Sequence, residues 1–282
     1  MKKLSDTGTV SFVFFTQWHL QQGGTPRDNK DGGRRRGGGG GEGGRPAGEP
    51  EQHQGPREET QRGHIPESAP EQPEKEELKK LKLVYLNARS LTNKLNDLII
   101  LINDNDPDIV LITETWCSEN ITNAMLNIPG YSNEPDLRLD RRDTLNGIRG
   151  GVLVYVREGL IIKPIPVEND FNMFVRFKII SHESKDDRDL TVTLVYQPPR
   201  LANENNIELY KLFENSETNC IFVGDFNYPA INWNDYTSDR GSESFVQCVI
   251  DNRYEQLVYF PTHIRGNTLD LVLTNRPENI LR

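Results

Sequence analysis

Apolar and polar positions along this chain fall into two rhythms, and a sustained pattern begins near Leu81. Leu81 to Leu86 is an apolar run with Lys82 inside it, closed by Asn87-Ala88-Arg89-Ser90, which predicts a strand ending in a turn. From Leu91, the residues Leu95, Leu98, Ile99 and Ile102 recur at spacings of 3, 1 and 3. That stripe predicts an amphipathic helix with Ser90 placed to cap it, and Asp106-Pro107-Asp108 stops it. Ile109 to Ile112 reads as a second buried strand, followed by Thr113-Glu114-Thr115-Trp116. A strand, a helix and a strand in about 30 residues suggest a βαβ unit.

After the pair Gly150-Gly151, Val152 to Val156 reads as a strand, and Ile161-Ile162, Met173 to Ile180 and Leu190 to Tyr196 continue the series. Charged turns such as Lys185-Asp186-Asp187-Arg188 separate them, so antiparallel pairing is the simplest assignment. Asn206 to Asn215 carries Ile207, Tyr210, Leu212 and Phe213 at helical spacing, and Ser244 to Asn252 is a further helix-like stretch. Between these helices Cys220-Ile221-Phe222-Val223 is a buried-strand run that Gly224 breaks, with Asp225 and Asn227 directly after it. Leu257 to Phe260, Pro261-Thr262-His263 and a strand around Leu269 to Thr274 close the pattern. Strands with helices outside them predict a mixed α/β domain, and no repeat of fixed period is present.

Composition changes the picture mainly at the N-terminal side. Of 282 residues only 35% are hydrophobic, and a mean hydropathy of -0.65 is polar for one packed body. Residues 21 to about 80 are rich in Gly, Pro, Glu, Gln and Arg, including Arg34-Arg35-Arg36 and Gly37 to Gly41. Such a segment buries too little apolar surface to offset chain entropy, so residues 1–80 are expected to be a low-complexity, largely disordered leader, and residues 81–282 the domain. The apolar patch Val10 to Phe15 behind Met1-Lys2-Lys3 is too short and too polar in its flanks for a secretion signal. Cys117, Cys220 and Cys248 are too few and scattered for a disulfide framework and form no C-x-x-C pair, which points to an intracellular location. No apolar run reaches the 18 or so residues of a membrane span. A net charge of -9 argues against a broad basic nucleic-acid surface but leaves room for a nuclease whose carboxylates gather at a metal.

The candidate chemistry sits where strands end. Asn87, Glu114, Tyr196 and Asp225 with Asn227 each follow or close an apolar run, and Asp270 begins the last one. Each has an ordinary alternative: turn residue, helix-start carboxylate, phenol at the core edge, Asx turn, or partner of Arg265 or Arg276. If the backbone stays extended past Gly224, Asp225 and Asn227 share one side, a carboxylate able to bind metal or take a proton from water beside an amide able to hydrogen-bond a phosphoryl oxygen. Acids, amides and a phenol without a serine or cysteine nucleophile suit a hard cation with oxygen ligands, Mg²⁺ above all, and phosphoryl chemistry.

Six motifs then carry a resemblance: L-N-A-R-S-L at 86–91, I-T-E-T-W at 112–116, G-G-V-L-V-Y-V at 150–156, V-Y-Q-P-P at 195–199, G-D-F-N at 224–227 and N-T-L-D-L-V-L-T-N at 267–275. From Leu83 to Asn275 the chain resembles the endonuclease/exonuclease/phosphatase superfamily, within it the apurinic-like endonuclease domain of LINE-type non-LTR retrotransposons. The resemblance implies a four-layer α/β sandwich, two mixed sheets face to face with helices outside. It implies Glu114 as the metal ligand with Asn87 close by, Asp225 orienting and deprotonating the attacking water, and Asn227 steadying the transition state. By the same resemblance Tyr196 hydrogen-bonds a phosphate oxygen, Thr262 contacts the phosphate backbone, and Asp270 orients a catalytic histidine.

The chain departs from that pattern in one place. The family's closing Ser-Asp-His motif has no counterpart in Arg276 to Arg282, and His263 lies seven positions before Asp270 in a loop. The expected function is a Mg²⁺-dependent (Mn²⁺ as substitute) DNA endonuclease of retrotransposon origin, impaired by truncation. A catalytically inactive nucleic-acid-binding remnant, and a phosphodiesterase or phosphatase acting on a lipid or nucleotide, are the alternatives. DNA is the expected partner, with no membrane and no identifiable protein partner, and the nucleus the expected location.

Overall fold

The computed structural model describes residues 10–15, 80–140, 150–167, 174–180, 189–199 and 203–281. In chain order the strands are β1 (Val10–Phe15), β2 (Leu81–Asn87), β3 (Ile109–Thr113), β4 (Tyr131–Ser132), β5 (Arg138–Leu139), β6 (Val152–Arg157), β7 (Ile162–Ile165), β8 (Phe174–Ile179), β9 (Leu190–Tyr196), β10 (Cys220–Asp225), β11 (Glu255–Gln256), β12 (Asp270–Thr274) and β13 (Ile280–Leu281). The helices are α1 (Leu95–Asn105), α2 (Asn203–Glu214) and α3 (Glu243–Asp251). One sheet has the order β13-β1-β2-β3-β6-β4 with β5 also on β6, and the other the order β11-β12-β10-β9-β8-β7. Both are mixed: β2 and β3 pair in parallel, β3 and β6 antiparallel, while β9 and β10 are parallel and β10 and β12 antiparallel.

Strand alternation sorts the apolar residues into three layers. Leu83 and Tyr85 of β2, Leu111 of β3 and Val154 of β6 join Val192, Leu194, Val223 and Val272 in the core between the sheets. Their neighbours Val84, Leu86, Val110 and Ile112 face the other way, onto Leu98 and Ile102 of α1. On the far side of the second sheet, Val195, Phe222, Leu271 and Leu273 pack against Leu209 and Phe213 of α2 and Phe245 and Val249 of α3. Phe213 stacks on Phe222 with ring centroids 4.0 Å apart, and Tyr254 meets both edge-on. The layers run helix, sheet, sheet, helices, the sandwich the motifs imply.

The βαβ unit forms as its periodicity requires, with Asp106 ending α1 in a left-handed conformation and donating its N–H to Ile102 O at 2.7 Å just before Pro107. Three expectations are corrected. Ser90 does not cap the helix: a 3-10 turn, Thr92–Lys94, precedes α1, and the Ser90 hydroxyl accepts from Asn93 instead. β6 is not the first strand of the antiparallel series β7–β8–β9 but pairs with β3 in the other sheet. Gly224 does not break β10, which continues through it to Asp225. Gly224 has φ +146°, and a Cβ there would lie 1.8 Å from Val195 O. Only glycine lets β10 approach β9 this closely.

Within the expected leader, Val10–Phe15 is a strand, paired in parallel with β2 along six residues and with β13 along two. Apart from Lys80, the rest of that leader with its Arg34-Arg35-Arg36 run, Met173 and the turn Lys185 to Arg188 lie outside the described residues. Among the described residues no helix is long and apolar enough to cross a membrane, and the three buried cysteines form no disulfide.

Candidate active site at the strand ends

Strand direction gathers the polar residues at one end of the two sheets. β2 ends at Asn87, and the parallel β3 leads directly into Glu114. β9 ends at Tyr196 and the parallel β10 at Asp225, which are register partners. Because β12 runs antiparallel to β10, its first residue lies opposite β10's last, pairing Asp225 with Asp270. Six of the seven expected residues therefore share the same end of the sandwich, and Thr262 joins them through Asp270.

Two residues of one sheet hold the carboxylate pair of the other. Asn87 Nδ2 donates to Asp225 Oδ2 at 3.2 Å. Tyr85, two residues earlier on the same face of β2, donates its hydroxyl to Asp270 Oδ1 at 2.6 Å. That leaves Thr113 to donate to the phenol oxygen, at 2.8 Å. Asn227 Nδ2 donates to Gln197 O at 2.7 Å, and Gln197 N donates to Asp225 O at 2.8 Å, so the end of β9 braces both polar residues of G-D-F-N. Glu114 accepts the Trp116 indole N–H at 3.0 Å. Tyr196 is buried with its ring against Gly150, where a Cβ would come within 3.1 Å of Cε1.

Thr262, expected at a phosphate, is only 3% exposed. Its hydroxyl accepts the N–H groups of Leu269 and Asp270 at 2.8 and 3.0 Å, so it braces the start of β12. His263 Nδ1 accepts the Arg265 N–H at 3.4 Å, and burial followed by the charges of Arg89 and Arg265 holds the imidazole below its usual pKa. His263 is the one histidine among the described residues.

The loops that carry these groups are bent sharply. Arg89, Ser90, Glu114, Trp116 and Asn227 all have positive φ, between 44° and 83°, a conformation that costs of order 1–3 kcal/mol for most side chains and is easiest for Asn. Backbone bonds between the loops hold them: Ser90 N to Glu114 O at 3.0 Å, Leu91 N to Thr115 O at 2.9 Å and Trp116 N to Gly150 O at 2.9 Å.

Electrostatically the pair Asp225 and Asp270 is crowded. Burial, then the negative charges of Asp270 and Glu114, hold Asp225 well above the usual carboxylate range, against the Asn227 N–H and the Arg89 charge. Burial pushes Asp270 up to about 6 with help from Glu114, against its hydrogen bonds from Tyr85 and Thr262 and the Arg89 charge. Asn87 Oδ1 and Asp225 Oδ1 are buried without a hydrogen-bond partner. Concentrated negative charge, with two orphaned oxygens on side chains that are hydrogen-bonded to each other, fits a hard cation. Among the described residues no three His, Cys, Asp or Glu side chains stand close enough to hold one unaided. Such a cation would need the Asn87 amide oxygen and water to complete its ligands.

Sequence reasoning missed Tyr85, Gln197 and Arg89. For Tyr85 a signal was present, since it precedes Asn87 by two positions in a strand and so shares its face. Gln197 acts through its backbone, which leaves no residue-type signal.

An α/β sandwich of two mixed sheets, with acids and amides converging at its strand ends, defines a class of phosphoester-cleaving proteins. Residues 84–281 match the Endonuclease/Exonuclease/phosphatase family, and the chain belongs to it. No curated protein sequence matches the chain. Among solved structures, the endonuclease domain of TRAS1, a telomere-specific non-LTR retrotransposon, is similar in fold, with TM-score 0.50 and 14% identity over 68% of this chain and 83% of that one. An AP endonuclease from Archaeoglobus fulgidus has TM-score 0.49 and 16% identity over 71% and 88% of the two chains. The 3'-5' exonuclease NExo from Neisseria meningitidis has TM-score 0.48 and 14% identity over 70% and 88%.

Proposed function

We propose that the chain is a divalent-metal-dependent DNA endonuclease domain of retrotransposon origin, acting on phosphodiesters of chromosomal DNA and so working in the nucleus. The observation that carries this reading is the inter-sheet lattice of Asn87, Asp225, Tyr85 and Asp270, with Glu114 adding a third negative charge. Glu114 and the Asn87 amide oxygen would hold Mg²⁺, with Mn²⁺ as a substitute, and the bound ion supplies charge neutralisation for the phosphoryl oxygens.

The protein's own groups do the rest. Asp225, buried and with Oδ1 unpartnered, orients a water and takes its proton, a task suited to a carboxylate whose pKa lies above the ordinary range. Asn227 keeps one amide N–H for a phosphoryl oxygen while the other is committed to Gln197 O. Tyr196 bounds the site from the β9 side and would meet a second phosphoryl oxygen through its phenol. Asp270 stands beside Asp225 and is held by Tyr85 and Thr262. His263, flanked by Arg89 and Arg265 in a lowered-pKa setting, is poorly suited to donate a proton to a leaving group, so nicking is expected to be slow.

The test is nicking of supercoiled plasmid with Mg²⁺, with EDTA and with Asp225→Ala. Slow nicking lost in both controls supports the reading. Nicking indifferent to both overturns it, and DNA binding by a folded protein without any turnover would make the chain a binding remnant.

A further inference from the structure

We propose that Tyr85 is a positioning residue: its phenol fixes the Asp270 carboxylate next to Asp225, so that the reactive end of the second sheet is set by a strand of the first. This rests on the nuclease reading as far as rate is concerned, and on geometry alone as far as the carboxylate's place is concerned. Tyr85 is 0% exposed and its hydroxyl donates to Asp270 Oδ1 at 2.6 Å across 185 residues of sequence. A charge-assisted O–H to carboxylate bond this short is among the stronger ones a protein makes.

The geometry is a two-by-two clamp. Tyr85 and Asn87 are i and i+2 on one face of β2. Asp270 and Asp225 are directly opposed partners on β12 and β10. Each β2 residue reaches across to one carboxylate, Tyr85 to Asp270 and Asn87 to Asp225. Directly opposed like charges repel and would turn away from one another if free. Asp270 cannot, because the phenol takes one oxygen and the Thr262 hydroxyl also hydrogen-bonds the carboxylate. The phenol is itself fixed by Thr113 of β3 at 2.8 Å, and a residue with no exposure has no alternative rotamer in water. Asp225, by contrast, has one side-chain donor at 3.2 Å and an unpartnered Oδ1. The pair is therefore built unequally, one carboxylate locked and the other left with an open oxygen. That inequality suits one acid for scaffolding and the other for a reactant, and Tyr85 is the group that produces it.

Tyr85→Phe, Asp270→Asn and the double variant test this by single-turnover plasmid nicking in Mg²⁺, DNA affinity and crystallography. Tyr85→Phe is expected to nick at least ~10-fold slower with DNA affinity unchanged, a split that general loosening of the fold would not give. The double variant is expected to be no slower than Asp270→Asn alone, because the tyrosine acts through Asp270. In the Tyr85→Phe crystal the Asp270 carboxylate is expected to be rotated out of its wild-type place. Multiplicative losses, a wild-type rate in Tyr85→Phe, or an unmoved Asp270 would overturn the proposal. Should Tyr85→Phe fail to fold while the double variant folds, the dependence of the Asp270 carboxylate on the Tyr85 phenol is shown directly and supports the proposal; if the double variant also fails to fold, the phenol serves the fold at large and the proposal falls. A wild-type protein that does not nick defeats the nuclease reading, whereas the position of Asp270 in the variant crystal still decides the part played by Tyr85.

Discussion

Asp225 and Asp270 show at the scale of single residues how a site can cost the fold that carries it. Two carboxylates directly opposed on adjacent strands, both buried, each disfavour the other's charge. Asp225→Asn keeps the size of the side chain and removes one of these charges. Plasmid nicking is expected to fall by ~10²-fold or more, the usual share of a positioned base. Its melting temperature, read by differential scanning fluorimetry, is expected to equal or exceed that of the wild type. A lower melting temperature would mean that the carboxylate stabilises the fold. The pH dependence has a definite sign. Asp270 is raised to about 6 in the folded protein, above the ~3.9 of an ordinary Asp. Its contribution to stability is therefore fully present below ~3.9 and is lost as pH rises through about 6, a change on the order of 2–3 kcal/mol. Protein in EDTA should melt lower at pH 7.5 than at pH 5, and Asp270→Asn should flatten that difference. A wild-type protein in EDTA that melts higher at pH 7.5 would contradict the assignment.

Among the elements, β10 carries the site and its neighbours place it. Gly224→Ala would drive a methyl group into Val195 O and the parallel pairing of β9 and β10. A loss of about 3 kcal/mol or more is expected in urea unfolding, since neither backbone can yield without opening the ladder; a loss below about 1 kcal/mol would mean that the strands separate easily. The elements also show what the sequence could reveal. Leu95, Leu98, Ile99 and Ile102 announced α1 because helical periodicity is local, and the polar residues closing each apolar run marked the strand ends that meet. The assignment of β6 to the first sheet was not legible, because its partner β3 lies about forty residues earlier and pairing leaves no trace in either strand alone. The same holds for the site. Asp225, Asn227, Asn87 and Glu114 were visible as residue types out of place beside apolar runs. Tyr85 read as one more apolar strand residue, and Thr262 as a phosphate contact, because the direction of a hydroxyl depends on a neighbour from elsewhere in the chain.

At the scale of the whole molecule, strand β1 completes the first sheet from far away in sequence, its partner β2 starting only at Leu81. Val13→Pro would place a ring without an N–H in the middle of that parallel pairing and is expected to cost about 3 kcal/mol or more in the same urea unfolding. An unchanged midpoint would show that the domain does not depend on β1. The larger question at this scale is how a chain of net charge -9 would hold the DNA that the proposed function requires. Among the described residues near the site, Arg89 and Arg265 are the exposed cations, and Lys94 is drawn inward to the carbonyl oxygens of Ala88 and Arg89. With so few phosphates neutralised, the logarithm of DNA affinity should fall only gently with the logarithm of salt, at a slope of about -2 to -3 where each phosphate contributes ~0.9. Fluorescence anisotropy on a short duplex between 50 and 200 mM salt, with Ca²⁺ in place of Mg²⁺, measures it, and Arg89→Ala should reduce the slope by about one. A slope of about -6 or steeper would require cations beyond those around the site. The Arg34-Arg35-Arg36 run would then be the first candidate, and replacing those three arginines by glutamine would show it by restoring the gentle slope.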